Sequence, residues 1–189
     1  RRTVLTALGV AAAITTLVGV IGMIDSFVAT IDAGDTEIVG ETPDRLTADL
    51  DGFALASSPE VTAITADPGL RAAEPGLTLG GTLDPGPDEI DVALYTIEFD
   101  SELWTPTPVA GALTTDAPGL VLSEKAADDL GVGVGDTVTL RHPLREGTGY
   151  RWVETDLPIL ALHPNPYRFV VYLDEDWASL FDLEGIVNT

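Results

Sequence analysis

From Thr3 to Ile24 the chain reads TVLTALGVAAAITTLVGVIGMI, an apolar run without one charged side chain. As a helix it would be about 33 Å long at about 1.5 Å per residue, against about 30 Å of bilayer hydrocarbon. It is long enough to span a membrane. Arg1 and Arg2 stand just before it, and the first acidic residue, Asp25, comes just after. Basic residues stay on the cytoplasmic side of a span, so the rest of the chain is expected outside the cell or in a periplasm. A secretory signal peptide and a buried core helix are the competing readings. A signal peptide has a shorter apolar region and a small-residue cleavage site, whereas this run continues through Met23-Ile24-Asp25-Ser26-Phe27 with no A-x-A. A wholly buried helix of this length would be odd in a chain of 189 residues. A membrane span fits best.

Charge bounds the partners. Nine basic against 31 acidic side chains give −22, and leaving out Arg1 and Arg2 gives 7 − 31 = −24 for everything that follows. Such a surface repels nucleic acid and anionic lipid headgroups. Lys125 is the sole lysine, and aspartate outnumbers glutamate. That composition suits a halophile, where salt screens self-repulsion, and equally an ordinary acidic ectodomain. Unfolding measured against salt concentration separates the two, because the halophile reading requires stability to rise toward molar salt. Cysteine is absent, which excludes disulfides, a thiolate metal site and a cysteine nucleophile.

Along the chain, Gly9 to Ala13 and Thr15 to Gly19 place small residues at i, i+4 spacing, which lets another transmembrane helix approach closely. Apolar residues recur at Phe27, Val28 and Ile31, so the helix is expected to continue as a short stalk until Asp32-Ala33-Gly34-Asp35 stops it. Arg45 to Leu55 alternates and predicts a strand. Ser58-Pro59-Glu60 predicts a capped helix start with Val61 and Ile64 facing inward. Strands are expected at Leu70 to Glu74, Leu77 to Leu83 and Glu89 to Phe99, with a turn at Asp84 to Asp88. Trp104 to Ala117 is an irregular crossing. Gly119 to Leu122 predicts a strand, Ser123 caps a helix from Glu124 to Leu130, Gly131 ends it, and Thr137 to Arg141 is a β-branched strand. Tyr150 to His163 predicts one or two strands broken near Asp156-Leu157-Pro158. Arg168 to Leu173 is a further strand, and Asp174 caps a last helix to about Asp182. This order makes an α+β domain in which helices cover a sheet.

Familiar catalytic chemistry has no carrier here. A phosphate loop needs a lysine after glycine, but Lys125 lies in Ser123-Glu124-Lys125-Ala126. Gly131-x-Gly133-x-Gly135 precedes a strand where a dinucleotide loop would open a helix. No G-x-S-x-G or H-E-x-x-H occurs. His142 and His163 each precede a proline without a spaced carboxylate partner and read as structural. The acidic clusters Asp174-Glu175-Asp176 and Asp84 to Asp91 lack calcium-loop spacing and read as solvated faces. Trp104, Trp152 and Trp177 read as core anchors, with partner contacts as the alternative. No catalytic, cofactor-binding or metal-binding residue is assigned.

The stretch Ser123 to Leu140, SEKAADDLGVGVGDTVTL, resembles the S-x-x-x-A-x-x-L-G-V-x-V-G-D-x-V-x-L element in the extracytoplasmic domain of FtsX/MacB/LolC-type ABC transporter permeases. Arg1 to Gly9 is similar to the start of their transmembrane helix, and Tyr172, Trp177-Ala178-x-Leu180-Phe181 and Gly185 to Asn188 to their late strand and helix. Ile38 to Thr115 matches only in pattern. The resemblance implies a non-catalytic permease subunit, with residues 1–34 as transmembrane helix and stalk and residues 35–189 as an extracytoplasmic α+β domain. It implies ATP and magnesium in a separate cytoplasmic ATPase subunit, further permease helices and a dimer, and an extracytoplasmic protein partner. Family members carry three more spans after this domain, so with no initiator methionine and no closing signal the sequence is expected to be a fragment. The localisation implied is integral to the cell membrane, with the N-terminus cytoplasmic. A single-span membrane-anchored binding or sensor domain is the alternative, and a secreted hydrolase a more distant one.

Overall fold

The computed structural model describes residues 2–40, 44–84 and 86–189, with side chains from residue 6 onward. Helix α1 runs without a break from Arg2 to Val39, about 57 Å at about 1.5 Å per residue. Every large apolar side chain described from Leu8 to Ile24 is at least half exposed, as a helix surrounded by lipid requires. The Thr16 hydroxyl hides by donating to the Ala12 carbonyl at 3.0 Å.

The helix does not stop at Asp32 to Asp35. Gly34, which read as a breaker, is buried in mid-helix, and a Cβ there would meet Pro166 Cγ at 3.3 Å. Glycine costs about 1 kcal/mol in an exposed helix, but here it lets a distant loop lie against the backbone. The Thr36 hydroxyl donates to the Asp32 carbonyl at 2.7 Å, and the helix ends at Gly40, φ +54°.

Strand β1 (Ala54–Leu55) is all that forms of the strand expected over Arg45 to Leu55. The alternation is there, yet Leu46 and its neighbours meet no partner strand, and Leu46 is exposed. Helix α2 (Pro59–Thr65) is capped by Ser58, which accepts from the Val61 amide. Val61 is buried, while Ile64, expected inward, faces solvent. No strand forms over Leu70 to Glu74.

Strands β2 (Leu77–Leu83) and β3 (Ile90–Ile97) pair antiparallel in full register. Strand β4 (Ala110–Gly111) is a short edge piece, and β5 (Leu120–Ser123) leads into α3 (Glu124–Leu130). Ser123 accepts from the Ala126 amide at 3.0 Å, and Gly131 closes α3 in the left-handed region, as the sequence predicts.

Strand β6 (Thr137–Glu146) and strand β7 (Gly149–His163) form one long hairpin. Both outrun their expected ends, and both contain a proline. Pro158 does not break β7, because it pairs with Thr137 at the point where β7 leaves β6 and takes β5 as its neighbour. The missing N–H falls at the change of partner. Pro143 lies beyond Arg141, the last β6 residue paired with β2, so one side of β6 is already free there.

Strand β8 (Val170–Asp174), a 3-10 helix (Glu175–Phe181) and strand β9 (Ile186–Val187), which pairs with β1, complete the chain. Asn188 clamps β2 through its side chain, accepting from the Thr78 amide at 2.7 Å and donating to the Thr78 carbonyl at 2.9 Å.

Because β7 pairs with both β5 and β6, the sheet closes on itself in the order β7-β5-β8-β3-β2-β6. Closure removes most of the unpaired edge that an open sheet would present. Two cores result. The larger holds Leu77, Leu83, Leu94, Leu120, Leu140 and Leu173, with Ala126 of α3 and Phe181 of the 3-10 helix packed into it. Each such leucine contributes about 1.5–3 kcal/mol by leaving water. The smaller core lies on the other face and holds Phe99, Val121, Ala161, Val170 and Tyr172, with Trp104 partly buried against it. A bulge at Leu160, between Ile159 paired with Leu120 and Ala161 paired with Val121, moves β7 from the first core to the second.

Candidate coupling site between the apolar helix and the sheet

The residues that could have carried chemistry serve the fold. His142 lies in the larger core, edge-on to Phe181 with ring centroids 4.9 Å apart. Its Nδ1–H donates to the Pro143 carbonyl at 3.2 Å, and Nε2 accepts from the Thr155 hydroxyl at 2.9 Å. His163 lies against the smaller core, with Nε2–H donating to the Val170 carbonyl at 3.2 Å and Nδ1 accepting from the Asn165 amide at 3.3 Å. Burial lowers the pKa of both, that of His163 to about 4. Both are neutral and fully occupied by the fold, and they pack on different cores.

The acidic clusters are also tied into the backbone. Asp174 accepts from the amides of Asp176 at 3.1 Å and Phe99 at 3.0 Å, and Asp84 accepts from the Thr139 amide at 2.9 Å. Burial followed by the neighbouring Glu98 pushes the Glu175 carboxyl up to about 7. Among the described residues, no group of three acidic or histidine side chains is placed to hold a metal ion.

The three tryptophans part company. Trp177 packs against the larger core. Trp152, read as a core anchor, is instead 63% exposed on the β6–β7 hairpin, because its place in β7 lies beyond the part that any third strand covers. Trp104 sits where α1 meets the sheet.

That meeting place is built from few groups. Asp25, Asp32, Asp35 and Glu37 set the part of α1 beyond Ile24, here called the stalk, apart from the uncharged part before it. On it, Gly34 and Glu37 are one turn apart and are the two buried positions. Gly34 receives the loop at Pro166 and Tyr167. The Glu37 carboxylate accepts from the Thr107 amide at 2.8 Å, and its carbonyl accepts from Trp104 Nε1–H at 3.1 Å. Burial raises the pKa of the Glu37 carboxyl, and the Thr107 amide works against that rise.

Arg45 closes the end of the helix. Its guanidinium donates to the Ile38 carbonyl and lies over the Trp104 ring at 4.6 Å from the centroid. A cation there complements the partial negative charge of a helix C-terminus. Beneath, Trp104 meets Tyr172 at 5.4 Å, and Tyr172 in turn meets Tyr95 at 5.9 Å and His163 at 5.0 Å. A chain of rings thus runs from the stalk into β8 and β3, the centre of the sheet.

A typical hydrogen bond contributes about 0.5–1.5 kcal/mol net, and a cation over a partly exposed ring about 0.5–2 kcal/mol. The attachment therefore amounts to a few kcal/mol, far below what the two cores hold. The sheet's own packing is the stronger of the two. The sequence did not mark Glu37 or Pro166, and it read Gly34 as part of a helix stop and Arg45 as the start of a strand. Trp104 was marked, though as core, and an acidic residue on a stalk followed by an arginine past a helix end was the available signal.

Residues 3–151 match the family described as MacB-like periplasmic core domain. The match takes in α1, the stalk, Trp104 and Arg45, and ends within the β6–β7 hairpin. No curated protein matches the chain.

Proposed function

The chain belongs to the MacB-like periplasmic core domain family, and from that membership we propose that it is the first span and outer domain of an ABC transporter permease. A separate cytoplasmic subunit binds and hydrolyses ATP with magnesium. Arg1 and Arg2 hold the start of α1 in the cytoplasm, and the acidic domain lies outside. Closure of the ATPase subunits shifts the span, and the stalk carries that shift to the sheet. The outer domain then acts on a cargo or another protein, for export, lipid or lipoprotein extrusion, or signalling.

The observation that carries this reading is the stalk joint. α1 is one unbroken helix from Arg2 to Val39, and it is attached to the sheet by a small polar contact, not by a broad apolar one. A plain anchor would need no such joint. The test uses the intact protein in its own membrane. It should bring down an ATP-binding subunit, and distances between spin labels on the outer domains should change with ATP. In Glu37→Ala the ATPase activity should persist while the distance change shrinks. Purification without any ATP-binding subunit overturns the proposal.

A further inference from the structure

Beyond Arg141 the β6–β7 hairpin leaves the closed sheet, and residues 143–146 and 149–152 pair only with each other. The turn is the two residues Gly147 and Thr148, with φ +61° at Gly147 and no positive φ at Thr148, the II′ form that suits a twisted hairpin. A two-stranded ribbon is marginal in water by itself, so its surface composition needs a reason. Directly opposed pairs share a face. Pro143 with Trp152, and Arg145 with Tyr150, therefore form one outward flank, and Phe53 joins it with its ring 6.2 Å from that of Tyr150. Trp152 is 63%, Tyr150 49% and Phe53 50% exposed. Tryptophan, tyrosine and arginine are the residues that dominate protein interfaces.

We infer that this flank docks a second copy of the chain. Residues 137–163 carry three arginines and three acids, net zero, so the other residues hold 6 − 28 = −22, the whole charge of the chain. Two such molecules repel one another almost everywhere except at this hairpin. Beside the flank lies an open apolar groove of about 520 Å³ lined by Leu50, Phe53, Leu55 and Val61, with Asp51 and Glu60 at the same site. Arg145 has no ion pair among the described residues. One patch thus presents rings and a free cation next to an apolar slot and carboxylates. A two-fold axis sets each flank against the other copy's groove, so both halves are satisfied at once. The hairpin's apex, Glu146-Gly147-Thr148-Gly149, is polar, which argues against insertion into lipid. The inference rests on the permease reading only in that two copies share one membrane.

None of these 189 residues is cysteine, so cysteines placed here mark chosen positions. Thr148→Cys and Leu55→Cys versions of the intact protein are produced together with different tags, and membranes are treated with a short bis-maleimide. The expected result is a mixed cross-linked pair, absent when Asp116→Cys replaces Leu55→Cys. Trp152→Ala and Arg145→Glu should each lower its yield about tenfold, and adding Asp51→Arg to Arg145→Glu should restore it. Yield no higher than at Asp116, or unmoved by Arg145→Glu, overturns the inference, as does cross-linking into a chain of different mass. If an ATP-binding subunit still co-purifies while no cross-link forms, the docking inference falls and the permease reading stands.

Discussion

Trp104 and Trp152 set the same ring in opposite circumstances. Trp104 is held on three sides, by the Glu37 carbonyl, the Arg45 guanidinium and Tyr172. Trp152 stands on a ribbon with water on its outer face. The stalk joint buries polar groups and satisfies them, and the hairpin exposes apolar groups and leaves them unsatisfied. A joint that works inside one molecule must be complete by itself, whereas a surface built for another molecule is incomplete until that molecule arrives.

The comparison breaks most readily at Trp104. Trp104→Ala removes the ring that covers Tyr172 and the donor to the Glu37 carbonyl. The expected loss is about 3 kcal/mol, at the low end for a large aromatic because the ring is only partly buried. Urea unfolding of the reconstituted protein measures it. Hydrogen exchange at residues 34–39 should rise at the same time, since the stalk loses its main contact. A loss under about 1 kcal/mol would mean the two tryptophans do not differ as described.

Glu37→Ala is the next largest. It removes the carboxylate that accepts from the amide of Thr107, a solvent-exposed residue, so the expected loss is about 0.5–1.5 kcal/mol, the net worth of one hydrogen bond. Glu37→Gln keeps an acceptor at that amide and should lose clearly less. Equal losses in the two variants would show that the carboxylate's charge, not its acceptor oxygen, secures the stalk.

These two regions also show what was legible in the sequence. The long apolar helix, the serine caps at Ser58 and Ser123 and the glycine stop at Gly131 were legible because each rests on residues within a few positions. Gly34 was misread because the glycine makes room for Pro166, far along the chain, and does not end the helix. Pro158 was misread because whether a proline breaks a strand depends on which neighbour stands on the side of its missing N–H. The strand expected over Arg45 to Leu55 failed for a related reason, since alternation marks a surface that could be half-buried and does not supply a partner. The joint was scarcely legible, because Gly34, Glu37 and Arg45 meet Trp104, Thr107, Pro166 and Tyr172 from far along the chain.

A smaller effect is expected at Glu175, next to the segment that leads from β3 to Trp104. Its folded pKa of about 7 lies above the ordinary glutamate value of 4.5. A raised carboxyl stabilises the fold fully below the unfolded value, and that contribution is lost as pH rises through about 7. Glu175→Gln should therefore raise the melting temperature at pH 8 by about 2–4 °C, the shift that about 1 kcal/mol makes in a chain this size. At pH 4 the variant and the parent should melt together. An unchanged difference across pH would remove Glu98 and burial as the cause.

The smallest effect is the one that most sharpens the contrast. Trp152→Ala should change the stability of the isolated copy by less than about 0.5 kcal/mol, the usual range for a surface position. Its ring gives up little on unfolding because it is already in water, and its opposite neighbour Pro143 keeps the strand pairing with or without it. The measurement is urea unfolding at high dilution, where second copies are scarce, followed by the same titration in crowded membranes. If the ring serves a second copy, the variant and the parent agree in the first condition and diverge in the second, because association stabilises only the folded parent. If Trp152→Ala already destabilises the dilute protein as much as Trp104→Ala does, the hairpin ring is part of the fold, and the distinction between a finished joint and an unfinished surface is lost.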